Sequence, residues 1–447
     1  MFSNKVAQDT EYCWEVASAF PGRGGVVIMR ALVVLCLLSP LASGVQPDSG
    51  VSQKALRLHR DAIIIDTYAA TQFYRRPDFG TGTPGGKYDL PKALRGGVTG
   101  ANFGVGAEEL FVGDPRLGLV DPPPRGVNVI DAFFRGPDIV KRILWELDAL
   151  YETVRQHSSQ MLVALSTADI RRAKAEGKFA AIIGTNSGWF DSDLAVFRSY
   201  HRLGLRVLAL CHGDSLGWAS SDRELPAAAG LTDFGRAVVQ ECNRLGVIVD
   251  VSHSSQETFR DTLAVSRQPV LASHGGCRSL SRVQRNLTDD QLRSLARNGG
   301  VVGIVADQGM LDAEVLKSRM EGDSFDQILQ SHLSLATAYK DRPFDWVREA
   351  RQRALERSRS AQETPAPALP VALERMLEHL DHAVKVAGID HVAIGTDFDG
   401  GGELQGFEDA SRFPQVTEAL LRRAYGEEEI RKLLGKNFLR VFRQVAQ

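Results

Sequence analysis

Five cysteines in 447 residues leave little material for a disulfide framework. Only Cys211, Cys242 and Cys277 lie beyond residue 44, at spacings of 31 and 35 residues. That odd, sparse set is unlike a zinc knuckle and reads as small buried residues near strands. Charge of one sign is missing as well: 53 Lys and Arg stand against 55 Asp and Glu. A net charge of −2 lacks the basic surplus of a nucleic-acid binder. No apolar run reaches the length of roughly 18 residues that a membrane span needs. No internal repeat or linker divides the chain after its start.

The start itself is distinct. Residues 31–42, "ALVVLCLLSPLA", form an apolar run after Arg30, and Ala42, Ser43 and Gly44 follow. This charged, apolar, small order is that of a secretory signal. Met29 is a natural start for it, which gives a leader over 1–44 with the signal at 29–44 and one domain over 45–447. Cys36 lies inside the apolar run rather than after it, which argues against a lipid anchor. The expectation is an exported protein, periplasmic or alternatively secreted, with no membrane span.

What is abundant is strand-length apolar sequence. Eight such runs occur: 62–66, 98–103, 179–184, 205–211, 246–251, 269–273, 300–305 and 391–395. They are continuous rather than alternating, as parallel strands buried on both faces should be. Helical periodicity fills several intervals. Residues 138–157 repeat apolar positions at three and four, and 231–246 do so with Thr232 or Asp233 as N-cap and Gly246 as stop. Residues 254–266 and 287–300 repeat the pattern. Strands alternating with helices predict a (β/α)8 barrel. The excursion between the last two strands, roughly 306–390, reads as a charged helix and a Pro/Ala-rich loop.

Barrels place chemistry at the C-terminal ends of their strands. Those ends carry His212 in "LCHGD", His253 in "DVSHSS", His274 in "ASHGG", and Asp397 and Asp399 in "GTDFDGGG". The chain has only ten histidines, so three of them at separate strand ends predict a shared site. His253 and His274 are the natural metal pair, because neutral imidazole is a good zinc ligand. A hydrolytic zinc usually has three protein ligands and a water, and a dinuclear site adds a bridging carboxylate. The first strand is followed by Tyr68, Ala69 and Ala70, and the third by Asn186 with no acid. Asp214 reads as a loop cap, Trp189 and Trp218 as packing at the rim. The glycines after Asp397 read as a loop needing positive φ.

Several stretches together resemble one family. They include "LPKALRGGVTGANF", "GLTDFGRAVVQECNRLGVIVDVSHSS", "PVLASHGGCRSL" and "HLDHAVKVAGIDHVAIGTDFDG". The chain resembles the membrane (renal) dipeptidases, zinc-dependent (β/α)8 hydrolases of the metal-dependent hydrolase superfamily, from about Leu56 to Val445. In that family the first strand carries a His-x-Asp pair; the resemblance puts Tyr68 at the His and Ala70 at the Asp. The family's bridging Glu falls on Asn186. Its two remaining zinc ligands fall on His253 and His274, its substrate-facing His on His212, its substrate-carboxylate Arg on Arg285 and its proton-shuttling acid on Asp397. The resemblance thus implies that three of five ligands are replaced, with Tyr68 and Asn186 left facing the substrate beside Arg285 and His212. It also implies a homodimer.

Three readings stay open. The first is an exported dipeptidase-like protein that keeps the peptide pocket and uses His212 and Asp397 without a two-zinc mechanism. Its substrate is a small peptide or a peptide-derived natural product, and it looks similar to the dipeptidase-like proteins of pyoverdine siderophore maturation. The second is a single-zinc dipeptidase holding the metal on His253, His274 and Asp397. The third is a non-catalytic peptide-binding scaffold. The cofactor expectation is therefore none or one weakly bound zinc.

Overall fold

A computed structural model of the chain describes residues 50–71, 73, 78–83, 85–106, 139–213, 215–222, 230–316 and 371–446. All lie in the unit Asp48–Gln447. The expected leader 1–44, Cys36, Asp214 and most of the long excursion lie outside the described residues.

Nine parallel strands are formed: β1 (Ile65–Ala69), β2 (Gly100–Val105), β3 (Met161–Val163), β4 (Phe179–Thr185), β5 (Leu205–Ala209), β6 (Ile248–Asp250), β7 (Leu271–Gly275), β8 (Val301–Ile304) and β9 (Val392–Ile394). Eight of them close a barrel in the order β1-β2-β4-β5-β6-β7-β8-β9, with β9 returning to β1. This is the (β/α)8 architecture expected from the eight apolar runs. The ninth strand, β3, pairs only with the start of β4. At three residues it is too short to give a periodic signal.

Alternation along the strands sorts side chains into two layers. Ile65, Ala180, Ile182, Val207, Ile248, Leu271, Val301 and Ala393 fill the start of the barrel interior. Phe438, Phe442 and Val445 of the C-terminal helix Asn437–Val445 pack onto them. The N-terminal end of the barrel is thereby plugged, which leaves chemistry to the opposite end. Outward residues such as Phe103, Ile183, Leu208, Val249 and Val302 meet the surrounding helices. One of these is Asp233–Leu245, capped by Thr232 and stopped by Gly246 at φ 75. Another is Asp289–Arg297, opened by a capping box from Thr288 and Gln291.

Above the apolar plug the interior turns polar. Thr67 Oγ1 donates to the carbonyls of Ser273 (2.6 Å) and Ile394 (3.0 Å), and Asn102 Nδ2 donates to Thr67 O (2.9 Å). Gly303 and Gly395 make this crossing possible, since a Cβ at either would stand 2.1 or 2.5 Å from Thr67 Oγ1.

The first strand departs from its expected bounds. It runs on through Tyr68 to Ala69, with an irregular register between Asp66 and Ala69. Asp66 reads as a strand end because acids seldom enter a sheet. Here it is tolerated because Thr396 N (2.9 Å), Thr396 Oγ1 (2.5 Å) and Tyr68 N (3.2 Å) all donate to its carboxylate. Cys211, Cys242 and Cys277 are all buried, as expected. Trp218 is buried against Phe190 and Phe234, as the packing reading required.

Candidate active site

Four rings from four strand ends meet in one contiguous row at the open end of the barrel. Tyr68 lies parallel on His274, with centroids 4.0 Å apart and planes 15° apart. His274 meets His253 edge-on at 5.1 Å, and His253 lies against His212 at 3.9 Å. Strand geometry sets each ring. His274 is inside β7, and His253 follows β6 at a positive φ of 62°. A left-handed backbone is uncommon outside glycine and clusters at functional sites.

His253 Nε2 and His274 Nε2 stand 3.2 Å apart. The other nitrogen of His274, Nδ1, meets Ser273 Oγ at 2.9 Å. Burial pushes the His274 pKa well below the ordinary range, with electrostatic repulsion from Arg285 and His212 adding to the effect. Its imidazole is neutral at physiological pH. Two ligands on one tetrahedral zinc, with bonds of about 2.05 Å, would be separated by roughly 3.3 Å. The pair thus has the spacing of a two-point chelate. Among the described residues, however, no three His, Cys, Asp or Glu side chains converge as a cation site requires. The described residues at this point supply two such ligands.

The other expected residues surround these rings. Tyr68 is only 2% exposed. Its phenol lies against Gly104, where a Cβ would stand 2.6 Å from the hydroxyl. Asn186, also buried, occupies the matching space beside Gly106. Arg285 is buried and donates from Nη2 to His274 O at 2.8 Å. Asp397 is half-buried and its amide donates to Tyr68 O at 3.0 Å. Ala70 and Asp397 meet across Gly400: a Cβ there would stand 2.7 Å from Ala70 Cβ and 2.4 Å from Asp397 Oδ1. The structure therefore joins Tyr68, His274, His253, His212 and Arg285 through direct contacts. Asn186 lies beside Gly106, just past β2, and its backbone amide donates to Val105 O at 3.3 Å.

The loop after β9 corrects one expectation. Positive φ falls on Asp397 (57°) and Asp399 (69°), not on the three glycines that follow. Those glycines are demanded by close approach instead. A Cβ on Gly401 would lie 2.6 Å from Asp307 Oδ2, and one on Gly402 would lie 2.1 Å from Thr396 O.

Two acids lie here that the strand-end reading did not single out. Asp307 stands three residues past Ile304, the same offset that places Asp397 after Ile394, so the strand-end rule contained its signal. Asp222 has no such signal. It reaches the site because its amide donates to His253 O at 2.8 Å, and its Oδ2 lies 3.8 Å from Arg285 Nε. A cavity of about 240 Å³ opens between the loops after β6 and β7, with His253, Arg285 and Asp222 in its wall. Tyr68, His212 and Asp397 are not part of that wall.

Known proteins resemble this chain in sequence and fold. The family described as membrane dipeptidase, peptidase family M19, matches residues 52–447. Dipeptidase 3 of Rattus norvegicus is 33% identical over 277 residues, covering 60% of this chain and 46% of that protein. The chain thus spans about half the length of that relative. The probable dipeptidase PvdM of Pseudomonas aeruginosa is 29% identical with a TM-score of 0.66, over 88% of this chain and 98% of that one. A metallo peptidase from Rhodobacter sphaeroides, liganded with a phosphinate mimic of the dipeptide L-Ala-D-Ala, shares the fold with a TM-score of 0.65 at 23% identity, over 86% of this chain and all of that one.

Proposed function

Because the chain belongs to the membrane dipeptidase family, we propose that it handles a small peptide or peptide-derived natural product at the open end of the barrel without a two-zinc mechanism. The observation that carries this reading is the Tyr68 ring lying on the face of His274. A phenol fills the ground beside the imidazole pair, with Ala70 and Asn186 at the other positions where the family resemblance expects metal-binding acids. Arg285, His253 and the cavity between them remain suited to a peptide end.

The chemistry left to the chain's own residues is acid–base and positional. His212 and Asp397 are half-buried and can exchange protons with a bound ligand. Arg285 is held by His274 O and Asp222, which fixes its guanidinium for a carboxylate. The apolar run at 31–42 supports export to the periplasm. The likeness to PvdM and the degenerate ligand set support a precursor of a pyoverdine-type siderophore as the substrate.

A second reading has one observation behind it. The 3.2 Å spacing of His253 and His274 suits one zinc, and Asp397 would have to swing inward to complete the set. Calorimetry with a short peptide tests the main reading: wild type binds, and Arg285→Ala loses most of the affinity. Turnover of simple dipeptides that depends on added zinc would favour the second. Binding with no loss of the cellular product in His212→Ala or Asp397→Asn would leave a peptide-binding scaffold.

A further inference from the structure

The cavity beside His253 has a second guanidinium in its wall. Arg278, four residues after His274, lines it together with Arg285. The two cations come from the same loop after β7, whose course is fixed from several sides. Cys277 N donates to His379 Nδ1 at 2.9 Å, Gly276 N donates to Asn286 Oδ1 at 2.9 Å, and Arg278 N donates to Leu287 O at 2.8 Å. Val251, Phe259 and Leu287 supply an apolar wall.

Two acids also line the space. Asp222 is answered by Arg285 at 3.8 Å and by the Ser221 hydroxyl at 3.3 Å. Glu257 sits in the first turn of the helix Gln256–Val265, where the exposed amides of a helix start offset a carboxylate. The volume of about 240 Å³ suits one residue rather than a long peptide.

We propose that Arg278 is a specificity-determining residue, and that the cavity takes the end of a peptide whose last residue is acidic. The terminal carboxylate faces Arg285 and the side-chain carboxylate faces Arg278. This deepens the small-peptide reading and rests on it.

The test compares Ala-Glu with its neutral isostere Ala-Gln by calorimetry, on the full chain. Wild type should bind Ala-Glu about tenfold more tightly or better, the worth of one charge-assisted contact. In Arg278→Gln that ratio should fall to about one. Equal affinity for both peptides in wild type, or a preference that survives in Arg278→Gln, overturns the proposal and leaves the peptide reading standing. Binding of neither peptide overturns both. Thermal melting of Arg278→Gln, expected to match wild type because the residue is half-buried at a cavity wall, guards against a folding defect. If it melts early, Arg278→Lys, which keeps the charge, is put through the same pair of peptides and must keep a preference for Ala-Glu.

Discussion

The ends of β1 and β6 are built alike and finish differently. Each strand presents a fully buried aspartate, Asp66 or Asp250. Each aspartate accepts from the amide two residues on, Tyr68 N at 3.2 Å or Ser252 N at 2.9 Å. Each also accepts from the amide of a neighbouring strand end, Thr396 N at 2.9 Å or Ser273 N at 3.0 Å. The same pin thus turns the backbone toward the mouth at both places. After Asp66 the chain delivers a tyrosine that lies flat on a neighbour. After Asp250 it delivers His253, whose nitrogen points at another nitrogen. The scaffold for a site and the groups in it are separable: the same aspartate pin presents a tyrosine on β1 and a histidine after β6.

The largest effect expected from breaking this pairing is at the ring itself. Tyr68→Ala removes a buried ring and leaves a cavity beside His274, and it should cost about 3–5 kcal/mol in denaturant unfolding. Gly104→Ala presses a Cβ onto the same phenol and should cost about 1–3 kcal/mol. In the Tyr68→Ala background that second cost should largely vanish, since the clash has no partner left.

Next come the pins. Asp66→Ala strips three donors of their acceptor and Asp250→Ala strips two backbone amides. Both should destabilise by about 2–3 kcal/mol, with Asp66 the worse. Sparing of either would show that the two strand ends are not equivalent.

The pH dependence sharpens the same comparison. Burial pushes Asp66 up from 3.8 to about 7, with its hydrogen bonds opposing. Between those values the folded state holds more protons, so its contribution is full below about 3.8 and is lost as pH rises to 7. Asp250 is raised for the same reason. His59 and His379 are lowered by burial from 6.5 to about 4, so their contribution is lost as pH falls through that window. The acids and histidines therefore oppose one another between about 4 and 6.5. Asp66→Asn should make stability rise more steeply with pH there, and Asp250→Asn should do the same if the pins are alike. Denaturant midpoints at several pH values measure both slopes.

How far the sequence foretold this follows from where each signal lives. The eight staves were legible because buried parallel strands need continuous apolar runs, and His212, His253 and His274 because polar groups at strand ends stand out against them. The course of β1 past Asp66 was not, since the carboxylate's partner Thr396 is brought to it only by closure of the barrel. Asp222 was illegible for a similar reason, its link to Arg285 spanning two loops. The ring cluster was half legible: the residue types could be placed at the mouth, but the parallel contact of Tyr68 with His274 depends on Gly104 of β2, which makes room for the phenol.

Metal content measured on protein purified without chelator tests the central claim most directly. With Tyr68, Ala70 and Asn186 where ligands are expected, zinc should be well below one per chain and unchanged in His253→Ala. Two zinc ions per chain, lost in His253→Ala together with turnover of simple dipeptides, would contradict the account.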